Sequence, residues 1–176
     1  IRAHVGSPQR FLYYGLGVQL AAEIQFNRNL TFSGSVGQGI KDNFDKKEHI
    51  ASSAMEEVRT EILLYLQKSD DIYLKHMQFD NIWPIKNEVY GRISIGYLEE
   101  MFGGISSEFL YKPFKNNFSI SYELNYVKKR DYDGRFSFLD YSTVTSHINT
   151  AYYEPVSNIL FKLSYGKYLA RDRGFT

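Results

Sequence analysis

The chain has 176 residues, 21 basic against 20 acidic side chains, and no cysteine. This charge balance gives no electrostatic drive toward nucleic acid, and the lack of cysteine excludes both a disulfide framework and a thiolate metal site. No apolar run approaches the roughly 18 residues of a transmembrane helix, so an inner-membrane helical protein is excluded. The 15 Tyr and 13 Phe suit strands that end at a membrane interface, although an aromatic-rich soluble sheet has the same composition.

Apolar and polar residues alternate with a period of two through most of the chain. The first apolar row contains Leu12, Tyr14, Leu16, Val18, Leu20, Ala22, Ile24 and Phe26. Further rows begin at Leu30, Val89, Ile105, Phe118 and Ile159. Alternation places the two sets of side chains on opposite faces of a strand. The chain is therefore predicted to be all-β, an antiparallel meander of roughly nine or ten strands.

The length of the rows favours a membrane protein. Several of them extend over about nine to fifteen residues, whereas a strand of a globular protein averages about five or six. A tilted strand that crosses a membrane needs about nine to eleven residues. A transmembrane β-barrel, or part of one, is therefore predicted in preference to a sandwich.

The composition of the two rows predicts which one meets lipid. The polar rows are rich in Gly and Ser and carry few charges, whereas the outer face of a soluble barrel carries dense Lys and Glu. Aromatic residues recur at the strand ends, as they do in the girdles of outer-membrane barrels. We therefore expect the apolar rows to face outer-membrane lipid, the polar rows to face inward, and the protein to lie in the bacterial outer membrane.

Turn signals separate the predicted strands, and one stretch interrupts the pattern. Turns are predicted at residues 27–29, 84–87, 103–104, 113–117, 131–134 and 154–158. Residues 41–57 do not alternate and are predicted to form a long loop, either outside the membrane or folded inward as a partial plug. We expect residues 1–176 to form a single barrel region of a larger protein, because the chain opens without Met or a signal peptide.

Charged residues and tyrosines on the polar rows are candidates for contact with a polysaccharide. They are Tyr13, Glu23, Tyr90, Arg92, Glu108, Glu123, Lys162 and Tyr168. An inward charge costs little when water or an opposite charge meets it, whereas Arg or Lys at the bilayer midplane costs about 2–4 kcal/mol. The alternative is that these residues form structural ion pairs that hold the interior together.

The sequence has no pattern that requires catalysis. The HExxH and G-x-S-x-G signatures are absent, and no histidine has a second histidine at helical ligand spacing. We predict no catalytic residue, no metal and no cofactor. Two alternatives stay open: a barrel that binds a small apolar ligand, and a barrel-embedded hydrolase or acyltransferase that uses His76 or His147.

The segment that begins at Tyr90, YGRISIGYLEEMFGGISSEFLYKPF, resembles the YjbH-like outer-membrane family of exopolysaccharide (capsule) biosynthesis lipoproteins. Residues 58–62, 125–133 and 166–172 agree with it, so the resemblance covers about two thirds of the chain, from residue 58 onward. It implies the C-terminal barrel portion of a larger protein. That protein would assist polysaccharide export together with periplasmic partners, and the family has no established catalytic residues.

The most specific part of the resemblance is the YLEEMFGG run. Its conspicuous residues are Tyr97, Glu99, Glu100, Met101, Phe102, Gly103 and Gly104. The run is predicted to be a tight connection between two strands, with Gly103 and Gly104 supplying a turn of positive φ. The paired carboxylates are expected to bind Arg59 or Arg130 and lock the loop, or else to grip a periplasmic partner.

Overall fold

The fold is one antiparallel sheet of ten strands. The computed structural model describes residues 2–5, 12–43, 65, 72–133 and 135–176. The strands are β1 (Arg2–Val5), β2 (Leu12–Gln25), β3 (Leu30–Asp42), β4 (Tyr73–Lys86), β5 (Val89–Tyr97), β6 (Phe102–Tyr111), β7 (Phe118–Arg130), β8 (Phe138–Glu154), β9 (Ile159–Lys167) and β10 (Arg173–Phe175). Each strand pairs with its neighbour in chain order, which confirms the predicted all-β antiparallel meander. The order begins at β1 and ends at β10, so the described strands form an open sheet and not a closed barrel.

The connections follow most of the turn signals. Residues 27–29 and 113–117 lie between strands as predicted, and the Asn27 side chain accepts hydrogen bonds from the backbone of Asn29 and Leu30. Of the turn predicted at residues 154–158, residue 154 still belongs to β8 and residues 155–158 form the connection. The turn predicted at residues 84–87 was placed too early. Strand β4 continues to Lys86, and the tight turn is made by residues 87–88, where Glu88 has a φ of 67°.

The burial of the two faces is inverted relative to a soluble sheet. On neighbouring positions of β6, Ile105 is 49% exposed and Ser106 is 5% exposed; on β7, Leu124 is 41% exposed and Asn125 is 8% exposed. We call the side that carries Ile105 and Leu124 the apolar face and the side that carries Ser106 and Asn125 the polar face. In the central strands the polar face is therefore the occluded one, and the apolar face is accessible.

Apolar burial is concentrated at one end of the polar face. The buried residues of this end cluster are Tyr65, Met101, Phe102 and Val127, with Leu98, Tyr132, Tyr141 and Leu169 packed against them. Tyr65 belongs to the connection between β3 and β4.

The predicted loop 41–57 begins too early, because Lys41 and Asp42 are part of β3. Residues 44–57, and Arg59 beyond them, lie outside the described residues.

Membrane-spanning helices are also absent from the described part of the chain. In residues 2–5, 12–43, 65, 72–133 and 135–176, no helix has the length and apolar character needed to cross a bilayer.

The predicted glycine turn at residues 103–104 is wrong. Both glycines lie inside β6, and the connection from β5 is made by residues 98–101, closed by a hydrogen bond from Glu99 N to Phe102 O at 3.1 Å. The glycines are needed for close packing instead. A Cβ on Gly103 would lie 2.6 Å from the Tyr97 ring, and one on Gly104 would lie 2.0 Å from the Tyr126 carbonyl oxygen.

Replacing Gly104 by alanine therefore forces two strand backbones apart. We expect Gly104→Ala to lower the free energy of unfolding by about 1–3 kcal/mol, the usual range for overpacking. Gly174→Ala is the matched control, because its Cβ would meet only the edge of the Tyr168 ring at 3.9 Å, an ordinary contact. Urea titration of both variants in detergent measures the difference, and equal stability of the two variants would contradict this role.

Candidate functional site

A row of ionisable side chains crosses four adjacent strands on the polar face. Register places Arg92 of β5 opposite Glu108 of β6, Glu108 opposite Glu123 of β7, and Glu123 opposite His147 of β8. We call these four residues the charged row. Arg92 Nη2 lies 3.0 Å from Glu108 Oε2, so one cation in the row is paired with one carboxylate. The directly opposed carboxylates of Glu108 and Glu123 repel each other, an arrangement that is unfavourable between strands.

A second row of smaller polar groups runs beside the charged row. It consists of Asp80, Ser94, Ser106, Asn125 and Thr145. Ser94 Oγ donates to Asp80 Oδ1 at 2.5 Å, and Asn125 Nδ2 donates to Thr145 Oγ1 at 3.1 Å. Asn125 Nδ2 also donates to Glu123 Oε1 at 2.7 Å, which ties the two rows together. These bonds hold the side chains in fixed positions, as a preformed binding surface requires.

All members of the two rows except Glu108 and Asp80 line a cleft with a volume of about 820 Å³. Its lining includes Arg92, Glu99, Glu123, His147, Tyr168 and Asp172. Four members of the end cluster, Leu98, Phe102, Val127 and Leu169, bound it on one side. The volume lies within the range of about 300–1,000 Å³ that is usual for ligand sites.

The Tyr168 ring of the cleft is held in place by neighbouring side chains. The Tyr168 ring packs edge-on against His147 with 4.8 Å between the ring centroids. Its hydroxyl lies 2.9 Å from Thr176 Oγ1, so the ring is held at both ends. Two buried atoms, Arg92 Nε and His147 Nε2, have no hydrogen-bond partner among the described residues. A buried polar atom without a partner costs about 1–3 kcal/mol, and both atoms belong to side chains that line the cleft.

The structure brings together about half of the predicted contact residues. Arg92, Glu123 and Tyr168 line the cleft, and Glu108 joins them through its ion pair with Arg92. Tyr90 lines a separate cavity of about 700 Å³, whose lining includes the turn between β6 and β7.

The remaining predicted residues lie away from the cleft. Glu23 is exposed on β2 opposite Ser33, and Lys162 is exposed on β9 opposite Ala151. Tyr13 lies on β2 opposite His4, and its side chain lies outside the described residues. These three are not part of the cleft lining.

The YLEEMFGG run surrounds a buried arginine. Arg130 is 1% exposed, and its guanidinium lies over the Tyr97 ring with 3.9 Å to the centroid. Nη1 donates to the Glu100 carbonyl oxygen at 3.0 Å, and Nη2 donates to the Leu74 carbonyl oxygen at 2.7 Å. The backbone N of Arg130 donates to the Met101 carbonyl oxygen at 2.8 Å. We call this arrangement the arginine socket.

The arginine socket joins strands that do not pair with each other. The pairing of β4 with β5 ends at Met77 and Tyr97, and Leu74 lies beyond it on β4. The Leu74 carbonyl oxygen is therefore not bonded by β5 and accepts a hydrogen bond from the Arg130 side chain of β7. Tyr97 is 4% exposed and is covered by Phe136 and Phe138, so it is not the accessible interface tyrosine that its position in an apolar row predicts. The run is thus built into the end of the sheet.

The predicted contact between the run and Arg130 is present. Arg130 Nη1 donates to the backbone carbonyl of Glu100, and the Glu100 carboxylate also interacts with the same guanidinium through its charge. Glu99 lines the cleft with Phe102, so it is placed to act on a ligand there. Sequence reasoning missed Asn125, Thr145 and Asp172 as cleft residues. The alternation of β7 and β8 assigns the first two to the polar face, but only the register places them beside Glu123.

Comparisons with known proteins agree with the resemblance and extend it. The YjbH family model, described as exopolysaccharide biosynthesis protein YbjH, matches residues 1–176, so the similarity is not confined to residue 58 onward. The chain is 37% identical over 180 residues to a protein of Escherichia coli (strain K12) named uncharacterized lipoprotein YjbH. The alignment covers 98% of this chain and 25% of that relative, so the chain spans about a quarter of its length. No solved structure matches. The chain belongs to the YjbH family of exopolysaccharide biosynthesis proteins.

Proposed function

We propose that this chain is part of a non-enzymatic outer-membrane β-barrel that assists the export or assembly of an exopolysaccharide such as a capsule. The observation that carries the proposal is the inverted burial of the sheet. In the central strands Ile95 is 51% exposed, Ile105 is 49% exposed and Tyr126 is 55% exposed, whereas Ser94 is 2% exposed. An apolar outside with a polar inside is the arrangement that lipid stabilises and water does not.

The extent of the exposed apolar face and the length of its strands support the same proposal. Soluble monomers rarely expose continuous apolar patches above a few hundred Å². Here the exposed apolar side chains follow one another along β2, β7 and β9, each of which has at least 9 residues. A strand of that length crosses the hydrocarbon core when tilted, for which about 9–11 residues suffice. The name lipoprotein carried by the Escherichia coli relative supports a place in the cell envelope.

The alternative of a barrel that holds a small apolar ligand has less support. Such a barrel needs apolar side chains on its inner face. The occluded face here carries Ser94, Ser106, Asn125 and Thr145 in its centre, with apolar burial confined to the end cluster. The cleft is suited to a hydrogen-bonding ligand, and a polymer of sugars is the ligand class that the family description supplies.

Fractionation of cells that express the full-length protein tests the proposal. We expect the protein to remain in the outer-membrane pellet after high-salt and carbonate washes and to leave it only in detergent. Deletion of the gene should reduce polymer outside the cell, and the intact gene on a plasmid should restore it. Recovery of the protein in the soluble periplasmic fraction, or unchanged polymer in the deletion strain, would contradict the proposal.

A further inference from the structure

The charged row has an unbalanced charge, and this imbalance points to the chemistry of its ligand. The Arg92 guanidinium is paired with Glu108 at 3.0 Å, while Glu123 faces Glu108 directly across the two strands. The row therefore contains two carboxylates, one guanidinium and one imidazole. A positively charged group between Glu108 and Glu123 would relieve their repulsion, whereas a carboxylate there would add to it.

The other charged residues around the cleft do not restore the balance. Asp172 also lines it, and Arg92 is the one arginine or lysine among the described lining residues. The guanidinium of Arg130 donates to backbone carbonyls in the arginine socket. Arg171 lies over the Tyr141 ring with 5.5 Å to the centroid. The nearby arginines are thus directed to other partners.

The cleft has further groups that suit a sugar ring. Tyr168 presents an aromatic ring fixed by His147 and Thr176, and an aromatic ring is a platform for the apolar C–H face of a pyranose. The Arg92 guanidinium and the His147 imidazole belong to the same lining, and sugar hydroxyls can both donate hydrogen bonds to such side chains and accept them. Gln78 and Asn125 add amide groups to the same lining.

We propose that the cleft takes a saccharide segment that carries a free, positively charged amino group, and that it disfavours uronic-acid segments. The proposal rests on the proposed function, since it names the substrate class of the same polar face. The ammonium of an amino sugar binds beside Glu123 in the charged row, with the ring against Tyr168. A uronate carboxylate at that place is repelled by Glu123 and by the neighbouring Glu108, which is how charge arrangement provides specificity.

Direct binding to the purified full-length protein in neutral detergent tests this inference. The probes are hexasaccharides of glucosamine, of N-acetylglucosamine and of galacturonic acid, which are cationic, neutral and anionic. We expect the glucosamine hexamer to bind at least about tenfold more tightly than the galacturonic acid hexamer, because 1.4 kcal/mol of electrostatic preference is a factor of ten in Kd. The preference should shrink as salt is raised.

Variants test whether the preference for the cationic probe arises at the charged row. We expect Glu123→Gln to raise the Kd of the glucosamine hexamer about threefold to tenfold. The ratio between the Kd values of the galacturonic acid and glucosamine hexamers should therefore decrease. Glu23→Gln is the matched control, because Glu23 is exposed on β2 and outside the cleft lining. Equal affinity for cationic and anionic probes, or equal effects of the two variants, would overturn the inference and leave the barrel proposal standing. Binding of none of the probes would also overturn it, whereas loss of the protein from the outer-membrane fraction would count against the proposed function instead.

Discussion

We expect Arg130→Met to lower the free energy of unfolding by about 3 kcal/mol, since a hydrogen bond to a charged group contributes about 1.5–3 kcal/mol. Methionine fills much of the space of the arginine side chain but donates no hydrogen bond. The carbonyl oxygens of Leu74 and Glu100 then lose the donor that binds them, and the Tyr97 ring loses its cation at 3.9 Å. The measurement is urea titration of the full-length protein in detergent micelles.

Two controls separate the socket from a general effect of charge. Arg28→Met removes an arginine from the exposed turn between β2 and β3 and should change stability by less than about 0.5 kcal/mol, as surface substitutions usually do. Arg130→Lys keeps the charge and loses the planar fork, so its stability should lie between those of the wild type and Arg130→Met. If Arg130→Met were no less stable than Arg28→Met, the arginine socket would not be a structural centre of the sheet.

Leu124→Arg should strongly reduce insertion into the membrane. Leu124 lies in the middle of β7 on the apolar face and is 41% exposed. An arginine that faces lipid at the bilayer midplane costs about 2–4 kcal/mol. On a soluble sheet the same accessible substitution would be close to neutral, within about 0.5 kcal/mol. The fraction of protein folded into phospholipid vesicles, compared with the wild type, distinguishes the two cases.

Val156→Arg is the matched control for this substitution. Val156 is 93% exposed, but it lies in the turn between β8 and β9, beyond the end of the strands. An arginine near the interface costs only about 0–1 kcal/mol, so this variant should insert almost normally. Equal insertion of Leu124→Arg and Val156→Arg would indicate that the apolar face does not meet lipid.

The strands themselves were predictable because alternation is a local property of the chain. The row from Phe118 to Tyr126 specifies one face of β7 without reference to any other strand, and the structure keeps those residues on one face. Turns with a side-chain capping group were also predictable, as at Asn27. Gly103 and Gly104 were misassigned to a turn, because glycine supports positive φ and close backbone approach equally well and only the neighbouring strands distinguish the two.

The site was less predictable because it depends on register. Arg92, Glu108, Glu123 and His147 are spread over 56 positions of the chain, and a shift of two residues in one pairing would leave the faces intact but dissolve the charged row. The arginine socket depends on a longer-range relation, between β4 and β7. Alternation contains no information about that contact, since these two strands are not neighbours in the sheet.

A scan of single cysteines along β7, from residue 118 to residue 126, tests whether the apolar face meets lipid. The described chain has no cysteine of its own, so each label reports one position once any cysteines elsewhere in the full-length protein are replaced. In vesicles that contain brominated lipid, fluorescent labels on cysteines at positions 120, 124 and the other even positions should be quenched. Unlabelled cysteines at positions 121, 123 and the other odd positions should instead react with a water-soluble thiol reagent. Quenching without a period of two, or quenching at the odd positions, would show that the apolar face does not meet lipid.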